Sequence, residues 1–260
     1  MTSWIDPSFS YDTDDHHEYG EMGYRLFDSF LLPEAVAHCQ AETDRMLGQL
    51  QPGRSPENMI SCHHQEQWIF RLAEEPQLLD MIERHVGPNI VLWSSHFLIK
   101  PPRTGKLVPW HQDTPYWDLD GELAPGVWIA LDDVDRENGT MSVLPGWHNK
   151  GELPRRDSGG VAFSEEIQPD ALPADLETSC VEYRLRAGQM AIHDTMIPHT
   201  STPNSSNRYR RVLVLRYMSA DGTVGAKEYE DYRTGEKFAR ECFLVRGEDV
   251  RKRGLRRSPF

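Results

Sequence analysis

From Asn89 onward the chain changes from helix-forming sequence to short β-prone runs, and this change constrains the fold more than any other feature. The runs are four to eleven residues long and are separated by Gly, Pro, Asn or Asp. Examples are IVLWSSHFLIK, GVWIALDDV, QMAIHD and RRVLVLRYM. Strands at this spacing, after a helical segment, predict a mainly β fold, a β-sandwich or jelly roll with flanking helices.

The first third of the chain predicts helices. The stretch from Pro33 to Leu50 begins with a proline suited to a first helical turn, and the stretch from Gln77 to Val86 is followed by Gly-Pro as a stop. No glycine-rich strand-to-helix turn occurs, which argues against a dinucleotide-binding sheet. We expect a single domain over residues 1–260, with a helical part at about 20–88, a jelly-roll core at about 89–220 and a tail at 221–260.

Composition and charge exclude several partners and compartments. The chain has 28 Lys and Arg against 41 Asp and Glu, and the net charge of −13 argues against nucleic acid and anionic membranes as partners. No run approaches the length of a membrane span, and the N-terminal sequence lacks the regions of a secretory signal. The four cysteines are widely spaced, which favours reduced thiols and a cytoplasmic location. We expect a monomer or homodimer, and a basic C-terminal tail that is solvated or docked at an interface.

Two motifs bring together residues that could hold a metal ion. His111 and Asp113 are separated by one residue in WHQD, so on a strand both side chains would point to the same face. This pair alone is a weak signal, but His199 adds a second imidazole 88 residues after the first. Two histidines and one carboxylate match the facial triad that binds Fe(II), although zinc accepts the same ligands. His193 and Asp194 form a competing pair, which we interpret as supporting residues.

An arginine cluster follows the second histidine. Arg210 lies eleven residues after His199, at the head of a predicted strand. A guanidinium there could bind a carboxylate through two parallel hydrogen bonds, as the distal carboxylate of 2-oxoglutarate requires. Strand alternation places Arg208 on the same face and Arg211 on the other, so Arg208 remains an alternative.

With these motifs the chain resembles the phytanoyl-CoA dioxygenase family of Fe(II)/2-oxoglutarate-dependent oxygenases. The resemblance runs from about Gly20 to Met218 and is strongest in FLIKPP, PWHQDTPYW, VWIALDDVDRENGTMSVLPGWH and HTSTPNSSNRYRR. It implies a double-stranded β-helix, a cupin-like jelly roll. It also implies Fe(II) as the metal, with 2-oxoglutarate and O₂ as co-substrates.

The resemblance also implies roles for individual residues. His111, Asp113 and His199 correspond to the iron ligands, and Arg210 to the residue that binds the distal carboxylate. Further contacts to the co-substrate correspond to Ser201, Trp128, Thr114 and His96. A lysine that contacts the co-substrate in the family has no counterpart near Met59.

The implied activity is hydroxylation of an unactivated C–H bond in a small molecule, with release of succinate and CO₂. The presence of Asp113 favours hydroxylation over halogenation, while desaturation and ring chemistry stay open. We expect a natural-product or amino-acid-like substrate. The alternatives are an acyl-CoA hydroxylase of the same family, a non-catalytic jelly-roll binding protein, and a cupin-like isomerase or hydrolase that uses the same ligands.

Aromatic residues beside the motifs are candidates for substrate contacts. Tyr116 and Trp117 follow the WHQD turn, and Trp147 follows a Pro-Gly turn. We expect these three to form walls of the pocket. The stretch from Lys150 to Leu172 is a candidate lid, and its Arg155 and Arg156 would suit an anionic substrate.

Overall fold

A computed structural model describes residues 3–159 and 164–260, without the side chain of Asn58. Two predicted helices are confirmed almost to the residue. The first begins at Pro33, the proline of its first turn, and the second ends before Gly87, whose φ of 76° stops the helix. The α-helices of the described residues are α1 (Thr13–Met22), α2 (Pro33–Gly48), α3 (Gln67–Ala73), α4 (Pro76–Val86) and α5 (Leu176–Ser179).

Helices α1, α3 and α5 were not predicted. Helix α1 has no buried residue, so it lacks the apolar stripe on which the prediction of a helix depends. Its local signal is a capping box, in which Asp12 accepts from the backbone of Asp15 and the Asp15 side chain accepts from the backbone of Asp12. No helix in the described part of the chain is long and apolar enough to cross a bilayer.

The strands form two facing antiparallel sheets. The larger sheet has the strand order β1-β11-β6-β13-β3-β17, with β2 also paired to β3, and the smaller has the order β10-β7-β12-β4. The strands are β1 (Tyr24–Phe27), β2 (Met59–Ile60), β3 (Ile90–Lys100), β4 (Val108–His111), β5 (Leu119–Asp120), β6 (Gly126–Ala130), β7 (Met141–Val143), β8 (Arg155–Asp157), β9 (Glu165–Ile167), β10 (Val181–Glu182), β11 (Met190–His193), β12 (His199–Ser201), β13 (Arg210–Ser219), β14 (Thr223–Val224), β15 (Glu228–Glu230), β16 (Lys237–Ala239) and β17 (Phe243–Arg246).

The larger sheet is buried on both faces, which explains its continuous apolar runs. In β13, Leu213 and Leu215 pack with the helices, whereas Val212 and Val214 pack between the two sheets. Because successive side chains of a strand point to opposite faces, a strand covered on both sides has no polar face to alternate with the apolar one. Helices cover one face and the smaller sheet faces the other, so the predicted jelly roll with flanking helices is confirmed.

The C-terminal segment differs from the expected tail. Residues 221–260 contain β14–β17, and β17 pairs with β3 in the larger sheet. Two of the basic residues near the end dock on the body of the chain. Arg253 donates to the carbonyl oxygens of Ala220 and Gly222, and Arg257 donates to that of Gly247. Their hydrogen-bonding capacity is therefore used within the fold.

Candidate active site

The two candidate histidines are cross-strand partners in the smaller sheet. His199 at the start of β12 pairs with His111 at the end of β4, and their ring centroids lie 4.0 Å apart. Asp113 completes the group, and the potential ligand atoms of the three residues lie within 4.8 Å of one another. The fold thus brings together residues 88 positions apart in the sequence.

Asp113 reaches this position by a turn and not by strand alternation. Strand β4 ends at His111, and Asp113 has φ −74° and ψ −46°, at the start of a short 3₁₀ helix. Its backbone N–H donates to the carbonyl oxygen of Thr195 at 3.0 Å, which fixes the turn against the loop before His199. The expectation that His111 and Asp113 share one face of a strand is wrong, because the ladder ends between them.

Both histidines present the same ring nitrogen to the centre of the group. Nδ1 of His111 donates to the carbonyl oxygen of Pro109 at 2.9 Å, and Nδ1 of His199 donates to that of Ile197 at 3.0 Å. Burial, reinforced by His111, lowers the pKa of His199 to about 3. Nε2 of each ring faces Oδ1 of Asp113, at 3.6 Å for His111 and 4.0 Å for His199. An Nδ1 that donates to a backbone carbonyl and an Nε2 that is turned toward another ligand are typical of metal-ligating histidines.

The carboxylate of Asp113 is ionised although it is largely removed from water. Burial opposes its ionisation, but the charge of Arg216 and the contacts with both histidines outweigh that penalty and hold the pKa well below its usual range. Nη2 of Arg216 lies 3.2 Å from Oδ2 of Asp113. Oδ1 is therefore the oxygen that faces the histidines. One anionic oxygen and two imidazole nitrogens are a donor set that suits Fe(II).

The triad opens into a cavity of about 260 Å³ between the two sheets. The cavity also receives the side chains of most residues that were proposed to contact a co-substrate or substrate. Trp128 and Ser201 are buried, and His96 is half-buried with its pKa lowered to about 3, first by burial and then by Arg216. The predicted residues that line the cavity with the triad are Ser201, Trp128, His96, Arg210, Tyr116 and Trp117.

Arg210 lies in this cavity as a buried guanidinium without a carboxylate partner among the described residues. Arg210 is only 3% exposed, and its Nε has no hydrogen-bond partner. Its Cζ lies 6.0 Å from the ring centroid of Trp128. Burial lowers its pKa to about 10. An unpaired buried cation is costly, so the position suits a carboxylate ligand.

The two neighbouring arginines are engaged elsewhere. Arg208 precedes β13 and pairs with Asp135 at 2.6 Å on the surface. Arg211 pairs with Asp132 at 2.7 Å on the opposite face of the strand from Arg210. The alternative that Arg208 shares the face of Arg210 is wrong, because the strand begins only at Arg210.

A family model described as phytanoyl-CoA dioxygenase (PhyH) matches residues 19–212 of the sequence. The chain belongs to the phytanoyl-CoA dioxygenase family. The peroxisomal phytanoyl-CoA dioxygenase of Rattus norvegicus is 28% identical over 225 residues, which cover 74% of this chain and 64% of that enzyme. The match therefore spans just under two-thirds of the length of that relative.

Two further proteins are similar to this chain over more of their own length. A probable alpha-ketoglutarate-dependent hypophosphite dioxygenase of Stutzerimonas stutzeri is 27% identical over 84% of this chain and 82% of that protein. The solved structure of the non-heme monooxygenase ThoJ is 28% identical, with a TM-score of 0.70 over 90% of this chain and 84% of that one. The fold of this chain is therefore similar to that of a solved non-heme monooxygenase.

Two predicted contact residues do not line the cavity of this family member. The hydroxyl of Thr114 donates to that of Thr195 at 2.6 Å, and so supports the turn that holds Asp113. Trp147 lies in a 3₁₀ helix (Trp147–Lys150), and Nζ of Lys150 lies 3.2 Å from the centroid of its ring. Proximity in sequence to a site motif did not bring Trp147 to the site.

The candidate lid contains the β8–β9 hairpin, and its arginines are neutralised within it. Arg155 pairs with Glu165 at 2.6 Å, and Arg156 pairs with Glu166 at 2.7 Å. They are not available as the anion-binding pair that the sequence suggested. The hairpin packs on the cavity wall, where the hydroxyl of Tyr116 donates to the carbonyl oxygen of Glu165. Residues 160–163 of the candidate lid lie outside the described residues.

Sequence reasoning missed several cationic residues of the cavity. Arg216 lies on the same face of β13 as Arg210, and the two-residue period of that strand was the signal that could have identified it. Lys227, Tyr229 and Arg240 reach the cavity from the C-terminal segment, and no local pattern indicated them. His193, which we interpreted as a supporting residue, also lines the cavity, with its ring centroid 5.6 Å from that of His199.

Proposed function

We propose that this protein is an Fe(II)- and 2-oxoglutarate-dependent dioxygenase that hydroxylates a C–H bond of a small molecule. The observation that carries the proposal is a juxtaposition within one cavity. Two imidazoles and a carboxylate converge at one point, and an unpaired guanidinium, that of Arg210, is buried in the same space. A co-substrate that chelates a metal at one end and carries a carboxylate at the other satisfies both features.

His111, Asp113 and His199 would hold the iron through Nε2, Oδ1 and Nε2. A bound Fe(II) supplies the activation of O₂ that couples loss of CO₂ from 2-oxoglutarate to oxygen insertion into the substrate. The hydrogen bonds of Nδ1 to the backbone fix the orientation of both imidazole rings. Because the protein would supply three ligands, further positions on the iron would stay open for the co-substrate.

Arg210 would bind the distal carboxylate of 2-oxoglutarate. Ser201 lies two residues after His199, and its hydroxyl donates to the carbonyl oxygen of Gly139 at 3.0 Å. Its oxygen remains able to accept, and a rotation of the hydroxyl would let it donate to the co-substrate. Trp128 provides the apolar wall beside Arg210, so the carboxylate would be bound away from water.

We propose that the primary substrate is a small molecule, and that neither nucleic acid nor a membrane is a partner. We also propose that the protein is a monomer or homodimer. The net charge of −13 and the concave cavity between the sheets support a small molecule as the substrate. Tyr116 and Trp117 would contact the substrate. The roles of Thr114 and Trp147 and a cytoplasmic location remain predictions. An acyl-CoA substrate, as in the name of the rat relative, is the alternative within the same reaction class.

The decisive experiment is a titration without oxygen. Adding 2-oxoglutarate to the Fe(II)-loaded protein should produce a weak visible charge-transfer band that saturates. His199→Ala should abolish the band, whereas Arg208→Met, which changes an exposed arginine on the same segment, should retain it.

Each of the other outcomes would favour one of the alternative functions. Bound iron without the band would refute the co-substrate assignment and favour a cupin-like isomerase or hydrolase. Failure to bind iron would favour a non-catalytic binding protein. If the band forms, succinate release with a panel that includes phytanoyl-CoA and hypophosphite would then search for the substrate.

A further inference from the structure

The cavity carries more positive charge than the metal and co-substrate account for. Among the described residues that line it, Asp113 is the one carboxylate. Four cations line the same space: Arg210, Arg216, Lys227 and Arg240. Arg210 faces the proposed co-substrate and Arg216 contacts Asp113, so Lys227 and Arg240 remain without a function. This excess is notable in a chain with a net charge of −13.

Lys227 and Arg240 are held side by side by the fold. They flank the hairpin of β15 and β16, and the backbone N–H of Arg240 donates to the carbonyl oxygen of Lys227 at 2.7 Å. Lys227 and Arg240 therefore lie opposite each other, one residue beyond the paired ends of the two strands. Lys227 is exposed, and Arg240 is half-buried. Both line the cavity, so this pair forms a cationic rim at its edge.

The rim cations contact aromatic rings and neutral oxygens. Nε of Arg240 donates to the hydroxyl of Tyr229 at 3.1 Å, and its Cζ lies 5.8 Å from the ring centroids of both Tyr229 and Trp93. Nζ of Lys227 lies 5.6 Å from the ring centroid of Tyr229. Within the described ranges neither cation has an ion pair with a carboxylate. Aromatic faces hold a cation in place but leave its charge available to an anion.

Other cations of the same segment are neutralised. Nζ of Lys237, on β16, lies 3.6 Å from Oε2 of Glu228, and Arg233 pairs with Asp231 at 2.7 Å. Two adjacent like charges without counter-ions repel each other, so an oxyanion placed between them gains from both. The hairpin therefore neutralises its outward cations and leaves unpaired the two that face the cavity.

We propose that Lys227 and Arg240 bind an oxyanion of the primary substrate, a carboxylate or a phosphate, and so select anionic small molecules for the reaction. This inference rests on the proposed function, because it concerns the substrate of the same cavity. The anionic group binds at the rim, and the remainder of the molecule extends between Trp93, Trp117 and Tyr116 toward the triad. The paired Arg155 and Arg156 of the β8–β9 hairpin have no part in this recognition.

The test uses simple aromatic probes that differ in charge. Benzoate, phenyl phosphate and neutral benzamide are titrated by calorimetry into the protein loaded with Fe(II) and saturating 2-oxoglutarate, without oxygen. Saturating co-substrate keeps the probes away from Arg210. At least one anion should bind about tenfold or more tightly than benzamide, as expected for charge-assisted hydrogen bonds. The ratio between benzoate and phenyl phosphate identifies which oxyanion the rim prefers.

The variant K227Q/R240Q should lose this preference for anions. K237Q is the matched control, because it removes a cation of the same hairpin that is already paired with Glu228. If the double variant does not fold, the single variants K227Q and R240Q carry the test, and each should lose part of the preference.

Three results would overturn the proposal: equal binding of anions and benzamide, no binding of any probe, or a preference that survives in K227Q/R240Q. The charge-transfer band is measured in the same samples before the probes are added. Absence of the band in the unaltered protein would refute the proposed function. An intact band without a preference for anions would refute only the proposal that the rim binds an oxyanion.

Discussion

Arg216 and Asp113 make a contact that gives the two oxygens of one carboxylate different partners. Nη2 of Arg216 lies 3.2 Å from Oδ2, while Oδ1 faces Nε2 of His111 at 3.6 Å. The guanidinium is itself fixed over the ring of Trp117, at 4.9 Å from its centroid. The carboxylate is thereby oriented to offer one oxygen to a metal ion. Arg216 acts through Asp113 and is a positioning residue.

Replacing Arg216 with methionine should weaken metal binding. Without the contact to Oδ2 the carboxylate is free to rotate, and loss of such an outer partner typically lowers metal affinity by about 10–100-fold. Calorimetry with Co(II) in place of iron would measure this affinity. At saturating metal the affinity for 2-oxoglutarate should change little, a separation that general loss of structure would not produce. An unchanged affinity for Co(II) would show that the contact does not orient Asp113.

Arg210→Lys should weaken binding of 2-oxoglutarate by about 10–100-fold and leave metal affinity intact. Lysine keeps the charge but cannot donate two parallel hydrogen bonds to a carboxylate, and a hydrogen bond to a charged group contributes about 1.5–3 kcal/mol. The charge-transfer titration gives both affinities. Arg208→Lys, at an exposed arginine paired with Asp135, should behave like the unaltered protein. Equal losses in the two variants would contradict the assignment of Arg210.

Gly139→Ala should destabilise the fold and disturb Ser201. Gly139 has φ +87°, and an added Cβ would lie 2.5 Å from the carbonyl oxygen of Thr202 and 2.9 Å from Cδ of Lys100. Backbone strain of this kind costs about 1–3 kcal/mol, and we expect a loss of unfolding free energy at the upper end of that range. Because the carbonyl oxygen of Gly139 accepts from Ser201, the affinity for 2-oxoglutarate should fall too.

Gly53→Ala is the matched control for this variant. Gly53 has φ +86°, nearly the same as Gly139, but an added Cβ there meets nothing within 4 Å. Urea unfolding of the two variants therefore separates the cost of the left-handed backbone from the cost of the clash. Equal losses of stability would mean that the clash at Gly139 is relieved without cost.

His85→Gln should make the protein less sensitive to acid. Burial, reinforced by His16 and Arg84, lowers the pKa of His85 to about 3, and its Nε2 lies 2.9 Å from the hydroxyl of Tyr11. Below pH 6.5 the unfolded chain binds a proton that the folded chain does not, so the free energy of unfolding falls as the pH falls. Between pH 6.5 and 5 this histidine should account for a loss of about 1.5 kcal/mol.

Urea unfolding at pH 6.5 and pH 5 measures the effect. His85→Gln keeps a hydrogen-bonding side chain and should lose less stability than the unaltered protein over this interval. His17→Gln is the control, since the side chain of His17 is 77% exposed. If both variants respond to acid like the unaltered protein, His85 does not contribute to acid sensitivity.

The fold was predictable from local signals, and the triad was predictable from two short motifs taken together with the family resemblance. The β-prone runs are bounded by turn residues, and β3 and β13 begin where the sequence indicated. Asp113 was predictable as a member of the triad, but its backbone conformation was not. The end of β4 depends on a hydrogen bond to Thr195, and nothing within WHQD reports that long-range contact.

The cationic rim was not predictable by the same reasoning. Lys227 and Arg240 lie after the last predicted strand, in a segment without a long apolar run. Their place at the cavity depends on how the hairpin of β15 and β16 folds back over the larger sheet. Arg216 was predictable. It lies six residues after Arg210 on a strand that was itself predicted, and residues an even number apart on a strand point to the same face.

The hairpin that carries the cationic rim lies beyond residue 212, where the family match ends. The groups that would perform the chemistry and the cationic pair that would bind the substrate's anionic group thus occupy consecutive stretches of one chain, with Arg216 between them. Such a chain can acquire a new preference by changes in its last fifty residues while the metal centre is left untouched. Replacing this hairpin with the corresponding segment of a relative would test whether it sets the preference for the substrate.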